Sequence, residues 1–510
     1  MRVREAGIVV RKGAGALLLL MVAMVAACGG GGGADPAPQP TPPIAPQPPL
    51  TDPPGIDKGG LRQQVEAFVA EQRTKIAAID CSLSQTGPCE PIKDIRFSQG
   101  QALPAKLRAD QTILLIDSGI AHAATLRYRS RMLAYYRLSE SSGLVEPYDP
   151  VIASTPRWGA ELLRAIDGFQ YRDAAGQARP SHVPSAWLEP LRPLLKGARD
   201  FAVLDRIPHG NMVLSQLVEA SPQAGFVVLD PFPFQSLLKA KRASVCAKDA
   251  ASLELAAQRA AQSLGLVMQR HGVDYVNLSG GWFAEDMAIT WTALNCGGSL
   301  SPEESNRLML ALRPFFAQLF ESPTVLGVQS AGGAMSPLTH PLDVLELAQR
   351  VRVGYYHPLQ AAPLSADGVL GGQRPAVDEP SAAERRWIDV FVGTGMTRPG
   401  FRPEFNTAPP LRTDSVYGLG LWPVDSSTTS WSAPQALNRL IHLKQQLAPA
   451  MAPEAPLDAA LIQRMKDALT PMGCSWAPED GGRCKLQDPA WHRQQELFRQ
   501  GWLPGDWRWE

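Results

Sequence analysis

From about residue 110 to 446 the chain repeats one pattern: a short, mostly apolar run, then a longer segment with helical spacing. Residues 112–116, 225–229, 275–278, 324–328 and 388–392 are such runs. Apolar runs of this length suit strands buried on both faces. Among the segments between them, 251–264 has the spacing of a helix. Ser301-Pro302-Glu303-Glu304 supplies an N-cap, a proline in the first turn and a capping-box glutamate, opening a helix that runs to about residue 321. Strand and helix in alternation predict an α/β fold of three layers, with a mainly parallel central sheet flanked by helices. In such sheets chemistry gathers beyond the carboxyl ends of the strands.

The flanks read differently. Residues 1–27 hold four basic residues, Arg2, Arg4, Arg11 and Lys12, and then an uncharged apolar run ending Val25-Ala26-Ala27-Cys28. The run is short for a membrane span and closes on small residues, as a secretion signal does. Its end resembles a bacterial lipobox, in which Cys28 would carry lipid and become the new N-terminus. The competing readings are an ordinary cleaved signal or a short buried helix. Gly29 stands where Asp would favour inner-membrane retention, so the expected address is the outer membrane, on its periplasmic or surface face. Residues 28–56 are rich in Gly and then Pro, a semi-extended tether with little to bury.

Residues 57–109 form an N-terminal extension that resembles a pro-segment in position only. Within it, 60–79 has the pattern of one amphipathic helix. Residues 110–450 form the main domain, with added length at about 125–205. Residues 451–510 are a C-terminal extension, with a helix at 454–470 and five tryptophans, Trp476, Trp491, Trp502, Trp507 and Trp509. The tryptophans suit a tail docked by aromatic anchors, or a binding surface.

Basic and acidic residues both number 49. That balance argues against nucleic acid, whose binding leans on a basic surface. With Cys28 taken by lipid, six cysteines remain, an even number that suits disulfides in an exported chain. Of 15 connectivities, the nearest-neighbour set is expected: Cys81 with Cys89, Cys246 with Cys296, Cys474 with Cys484. No zinc-ligand spacing occurs, and no metal is expected.

Three constellations suit chemistry. Asp117-Ser118-Gly119 directly follows the first apolar run, where a rigid sheet can aim a carboxylate. His209-Gly210-Asn211-Met212-Val213 opens a helical pattern. Ser430, in Thr428-Thr429-Ser430-Trp431-Ser432-Ala433-Pro434, stands just before a helical run through Leu447. A serine there has its oxygen near unpaired N–H groups and the positive end of the helix dipole. Each motif alone is commoner in a bland role: a turn, a structural histidine, an N-cap serine.

Together, in the order Asp, His, Ser, they resemble the subtilisin-like serine proteases (subtilases). Two linking segments fit as well. Val276-Asn277-Leu278-Ser279-Gly280-Gly281 resembles the family's substrate-binding strand. Val328-Gln329-Ser330-Ala331-Gly332-Gly333 resembles the strand ending at its oxyanion-hole asparagine. The resemblance implies a Ser430–His209–Asp117 triad acting on a peptide or protein substrate through an acyl-enzyme. Thr429 keeps its place beside the nucleophile, and Ser279, Gly280 and Gly281 would pair with substrate backbone. No cofactor is required. Structural calcium is common in the family, but no carboxylate-rich loop supports it here.

The chain departs from the family at telling positions. Gly333 stands at the oxyanion asparagine, which removes a donor worth about 2.7–4 kcal/mol, a figure measured on subtilisin itself. Gln329 and Asn277 are substitutes near in sequence only. Thr428 replaces a glycine, Ser432 an alanine. Weak or narrow peptidase activity is therefore expected. A pseudoprotease binding peptides or proteins at the cell surface is the second reading. The third is an α/β-hydrolase-type esterase with Ser330 as nucleophile, for which Asp389 and His442 would have to serve as partners.

Overall fold

The apolar runs become strands of one sheet. The computed structural model describes residues 58–81, 84–92, 95–97, 111–152, 155–172, 178–180, 183, 185–194, 208–221, 224–331, 335–356, 387–393, 411–413, 421–423, 429–452, 454–469 and 485–486. In chain order the sheet strands are β1 (Gln111–Ile116), β2 (Met132–Leu138), β3 (Val145–Pro147), β4 (Ala224–Leu229), β5 (Tyr275–Leu278), β6 (Leu326–Ser330), β7 (Arg350–Tyr356), β8 (Val390–Gly393) and β9 (Lys485–Leu486). Across the sheet their order is β9-β8-β7-β6-β5-β1-β4-β2-β3. Every neighbouring pair is parallel except the β2–β3 hairpin at one edge.

The main helices are α1 (Lys58–Ala77), α2 (Arg157–Asp167), α3 (His209–Ala220), α4 (Pro233–Ala240), α5 (Ala250–His271), α6 (Ala284–Ala293), α7 (Pro302–Leu310), α8 (Arg313–Gln318), α9 (Thr429–Leu447) and α10 (Ala459–Leu469). Strand side chains alternate between faces, and the two cores divide accordingly. Ile113, Leu115, Phe226, Val228, Tyr275, Leu326 and Val328 pack on one face with α1, α2, α3, α9 and α10. Leu114, Ile116, Val227, Leu229, Val276 and Leu278 pack on the other with α4 to α8. This is the three-layer α/β architecture that the alternating pattern implies.

Differences from the sequence reading have local causes. The helix expected to run from Ser301 to about 321 is two, α7 and α8. The capping box forms, with Ser301 N donating to Glu304 Oε2 (2.9 Å) and Glu304 N to Ser301 Oγ (3.2 Å). Pro314 then falls in the first turn of α8; its ring and missing N–H disfavour an unbroken helix through it. Strand β7 lacks the apolar pattern of its neighbours because Arg350 and Arg352 interrupt it. Both are buried, held by carbonyls and carboxylates.

The segment at 125–205 is not wholly peripheral, since β2 runs parallel beside β4 and β3 pairs with β2. The extension at 57–109 packs into the domain as well. Leu61, Val65, Val69 and Ile76 of α1 join the core of the α3/α9 face, the i, i+4 spacing expected of one apolar stripe. Two short ribbons, 91–92 with 155–156 and 95–96 with 151–152, tie the same segment to the chain beyond β3.

Cys81 is bonded to Cys89 and Cys246 to Cys296, as nearest-neighbour pairing expects. Cys28, Cys474, Cys484 and the five C-terminal tryptophans lie outside the described residues. Among the described residues no helix is long and apolar enough to cross a membrane.

Candidate active site

The parallel register lines up the sequence motifs before any side chain is considered. Ile116 of β1 lies beside Leu229 of β4 and Leu278 of β5, and Leu278 lies beside Gln329 of β6. The next residue on each strand therefore emerges at one level of the carboxyl edge: Asp230, Asp117, Ser279 and Ser330. Four residues spread over more than 200 positions of the chain meet on one row.

Asp117 and His209 meet directly. His209 Nδ1 donates to Asp117 Oδ1 at 2.8 Å, and Ser118 N donates to the same oxygen at 2.6 Å. The carboxylate side chain is 1% exposed and the imidazole 40%, so the acid is buried and the base faces outward. With Nδ1 protonated by this contact, Nε2 is the nitrogen left to accept a proton. Burial pushes the Asp117 carboxyl above the usual carboxylate range; the His209 hydrogen bond opposes that shift. Asp117 Oδ2 has no hydrogen-bond partner among the described residues.

The glycines in both motifs are needed for this approach. Gly119 has φ +79, and a Cβ there would run into Pro208. A Cβ on Gly210 would lie 2.7 Å from Ile120 Cγ1, 2.8 Å from Ser118 O and 3.0 Å from Asp117 Cβ. Gly210 N donates to Ser118 O at 2.9 Å, which docks the start of α3 on the Asp117 turn. Asp-Ser-Gly and His-Gly are thus the two halves of one close contact.

Asp230 holds the turn from its other side. Its carboxylate accepts from Gly119 N (3.1 Å), Ile120 N (2.8 Å) and the Tyr135 hydroxyl. No motif in the sequence marks it, although Asp230 follows a buried strand as Asp117 does.

Ser430 lies in the first turn of α9, is 9% exposed, and is followed by the buried Trp431. The Trp431 and His209 rings are 5.0 Å apart and tilted by 31°. Helix α9 is fixed to α3 by Asn438, whose Nδ2 donates to Gln216 O (3.1 Å) and whose Oδ1 accepts from Ser221 Oγ (2.7 Å). The helix bearing Ser430 and the helix bearing His209 are thereby one packed pair. Thr429 opens α9 and is half-buried. Thr428 and Gly333 lie outside the described residues.

Ser279 follows β5 and accepts from Asn277 Nδ2 at 2.8 Å. Gly280 lies against the Phe232 ring, and Phe232 N donates to Ser118 Oγ at 3.1 Å. The Ser279–Gly281 segment and the Asp117 turn are therefore bridged by one residue. Both sequence-near oxyanion substitutes are fully buried and hydrogen-bonded. Gln329 is fully buried, donating to Asp343 Oδ1 (2.5 Å) and accepting from Arg350 Nη1 (2.9 Å). Asn277 is fully buried and gives its amide to Ser279.

Ser330 is buried at the end of β6. The carboxylate of Asp389 accepts from Arg352 N, Nε and Nη2 at 2.8, 3.1 and 3.1 Å. That acid is engaged by a guanidinium, unlike the acid of an acid–histidine pair. Among the described residues no group of three or more His, Cys, Asp or Glu side chains is placed to hold a metal.

No family model and no curated protein matches the sequence. Among solved structures, similarity extends to the prenylagaramide maturation protease PagA, at 13% identity over 77% of this chain and 95% of that one, with TM-score 0.32. The PatG macrocyclase in complex with peptide matches at 15% identity over 77% and 93%, TM-score 0.32. A lanthipeptide protease matches at 13% over 71% and 80%, TM-score 0.30. The overlap is loose at these values, and the site stands on its own geometry.

Proposed function

We propose that the chain is a subtilisin-like serine endopeptidase that cleaves peptide bonds with Ser430, His209 and Asp117. The contact that carries this reading is the 2.8 Å bond from His209 Nδ1 to the buried Asp117, with the imidazole ring 5.0 Å from the ring of the residue after Ser430. In this mechanism Ser430 Oγ attacks the peptide carbonyl as His209 Nε2 takes its proton. His209 then gives that proton to the leaving amine, and water releases the acyl group by the reverse roles. Asp117 fixes the imidazole tautomer and stabilises its charged form. The N-terminal N–H groups of α9 face the developing oxyanion, and Ser279–Gly281 pairs with the substrate backbone. The chain is proposed to act as an exported lipoprotein anchored through Cys28, as its N-terminal sequence implies.

Covalent labelling of the full-length protein by a fluorophosphonate tests the mechanism. Labelling should vanish in Ser430→Ala and persist in Ser330→Ala. Loss only in Ser330→Ala would replace the mechanism with the esterase reading. The engagement of Gln329 and Asn277 favours one second reading, a peptide-binding pseudoprotease. It predicts no labelling of a well-folded protein.

A further inference from the structure

The imidazole of His209 is flanked by an indole as well as by a carboxylate. Trp431 directly follows Ser430 in the first turn of α9 and is 2% exposed. Its ring lies 5.0 Å from the His209 ring, centroid to centroid, with a tilt of 31°. Two rings side by side in one plane need about 6 Å or more between centroids, because carbon atoms in contact are already about 3.5–4.0 Å apart. At 5.0 Å and so small a tilt the two rings overlap in part, face toward face. Asp117 meets the same imidazole at its Nδ1 edge. Carboxylate and indole thus approach it from two directions, one at the edge and one across the face.

The indole is not held there for its N–H. Trp431 Nε1 is buried and has no hydrogen-bond partner among the described residues. A buried donor left unpaired costs stability, and phenylalanine would fill much of the same space without that cost. What indole supplies beyond packing is an electron-rich face, the strongest among side chains in attracting a cation within about 6 Å. The ring is also fixed in place. It belongs to the core on the α3/α9 face of the sheet, and Asn438 ties those two helices together.

His209 becomes a cation only during the reaction. When Nε2 takes the proton of Ser430 Oγ, the neutral imidazole turns into imidazolium, and it is neutral again once the leaving group has the proton. An interaction made with a charge that develops in the transition state raises rate rather than ground-state affinity. In the nearly dry surroundings of Trp431 such an attraction is weakened less than in bulk water.

We propose that Trp431 accelerates the reaction by stabilising the imidazolium form of His209 with its aromatic face. This rests on the peptidase reading above. Trp431 acts through His209 and is a positioning residue for the charge that forms there.

The test replaces Trp431 alone, in the full-length protein, by tryptophans carrying successively more fluorine atoms. Each fluorine withdraws electron density from the ring face and leaves the ring's shape nearly unchanged. In fluorophosphonate labelling Ser430 Oγ bonds to phosphorus, fluoride leaves, and the serine proton passes to His209. The second-order rate of that step should fall with each added fluorine. Across the series the loss should reach about three- to tenfold, the rate equivalent of a partly solvated cation–π contact, at an unchanged melting temperature. Trp431→Phe should label at a rate between those of wild type and Trp431→Leu. A rate that stays flat across the fluorinated series would overturn the inference and leave the peptidase reading standing. That holds even if Trp431→Leu is slow, since lost packing alone explains a slow leucine variant. Absence of labelling in folded wild-type protein would fail the peptidase reading and this inference with it.

Discussion

Gly210→Ala adds one methyl group at the contact between the Asp117 turn and the start of α3. In an exposed helix this change gains up to about 1 kcal/mol from helix propensity. Here the new Cβ meets Ile120 Cγ1 at 2.7 Å, Ser118 O at 2.8 Å and Asp117 Cβ at 3.0 Å, against an ordinary carbon contact of about 3.5–4.0 Å. Ser118 O cannot swing aside without losing the bond it accepts from Gly210 N, and Asp117 is anchored at the end of β1. Relief requires α3 to shift by roughly half an ångström or more, away from the carboxylate that His209 must reach. Overpacking of this kind costs about 1–3 kcal/mol. A displacement approaching 1 Å at a catalytic pair costs on the order of 100-fold in rate. The variant should melt a few degrees lower, and its fluorophosphonate labelling should slow by one to two orders of magnitude. An unchanged melting temperature with labelling within twofold of wild type would refute the claim that the two glycine-bearing motifs form one contact.

Other expectations follow from the packing. Deleting residues 58–79 removes Leu61, Val65, Val69 and Ile76 from the core; at about 1.5–3 kcal/mol each their combined contribution rivals a typical domain's stability of about 5–15 kcal/mol. The truncated chain should be protease-sensitive by limited digestion, whereas a folded, probe-labelled product would mark the segment as a removable pro-segment. Asp343→Asn should raise the melting temperature at pH 8, because a carboxyl whose folded pKa is raised is destabilising when ionised. The gain should shrink as pH falls from about 7 toward the unfolded value near 4, and a pH-independent difference would contradict it. Replacing Cys246 and Cys296 by serine opens a 50-residue loop, a loss of about 4 kcal/mol in the chain-entropy account, measurable by urea unfolding.

Much of the architecture was legible because it is local. Short, mostly apolar runs such as 112–116 and 275–278 suit buried strands, and the Ser301–Glu304 capping box announces its helix in four residues. Asp117 and His209 were legible because each has, within two residues, a glycine that a close approach requires. The rest depended on partners distant in sequence. β7 was hidden by Arg350 and Arg352, whose burial makes sense only once Asp389, Glu346 and the carbonyls of 342–345 surround them. Asp230 resembled any aspartate before a proline until the register brought it to the Asp117 turn.

The sequence by itself determined the alternating strands and helices and the three motifs in their order, since these depend on residue type and short spacing. Tertiary structure alone decided that Asp117 and His209, 92 residues apart, share a 2.8 Å hydrogen bond, that α1 belongs to the core, and that Gln329 is committed to Asp343 and Arg350. The reason is that a side chain's chemistry is set by what is buried against it. In a parallel sheet those neighbours come from strands far apart along the chain, brought level only by register.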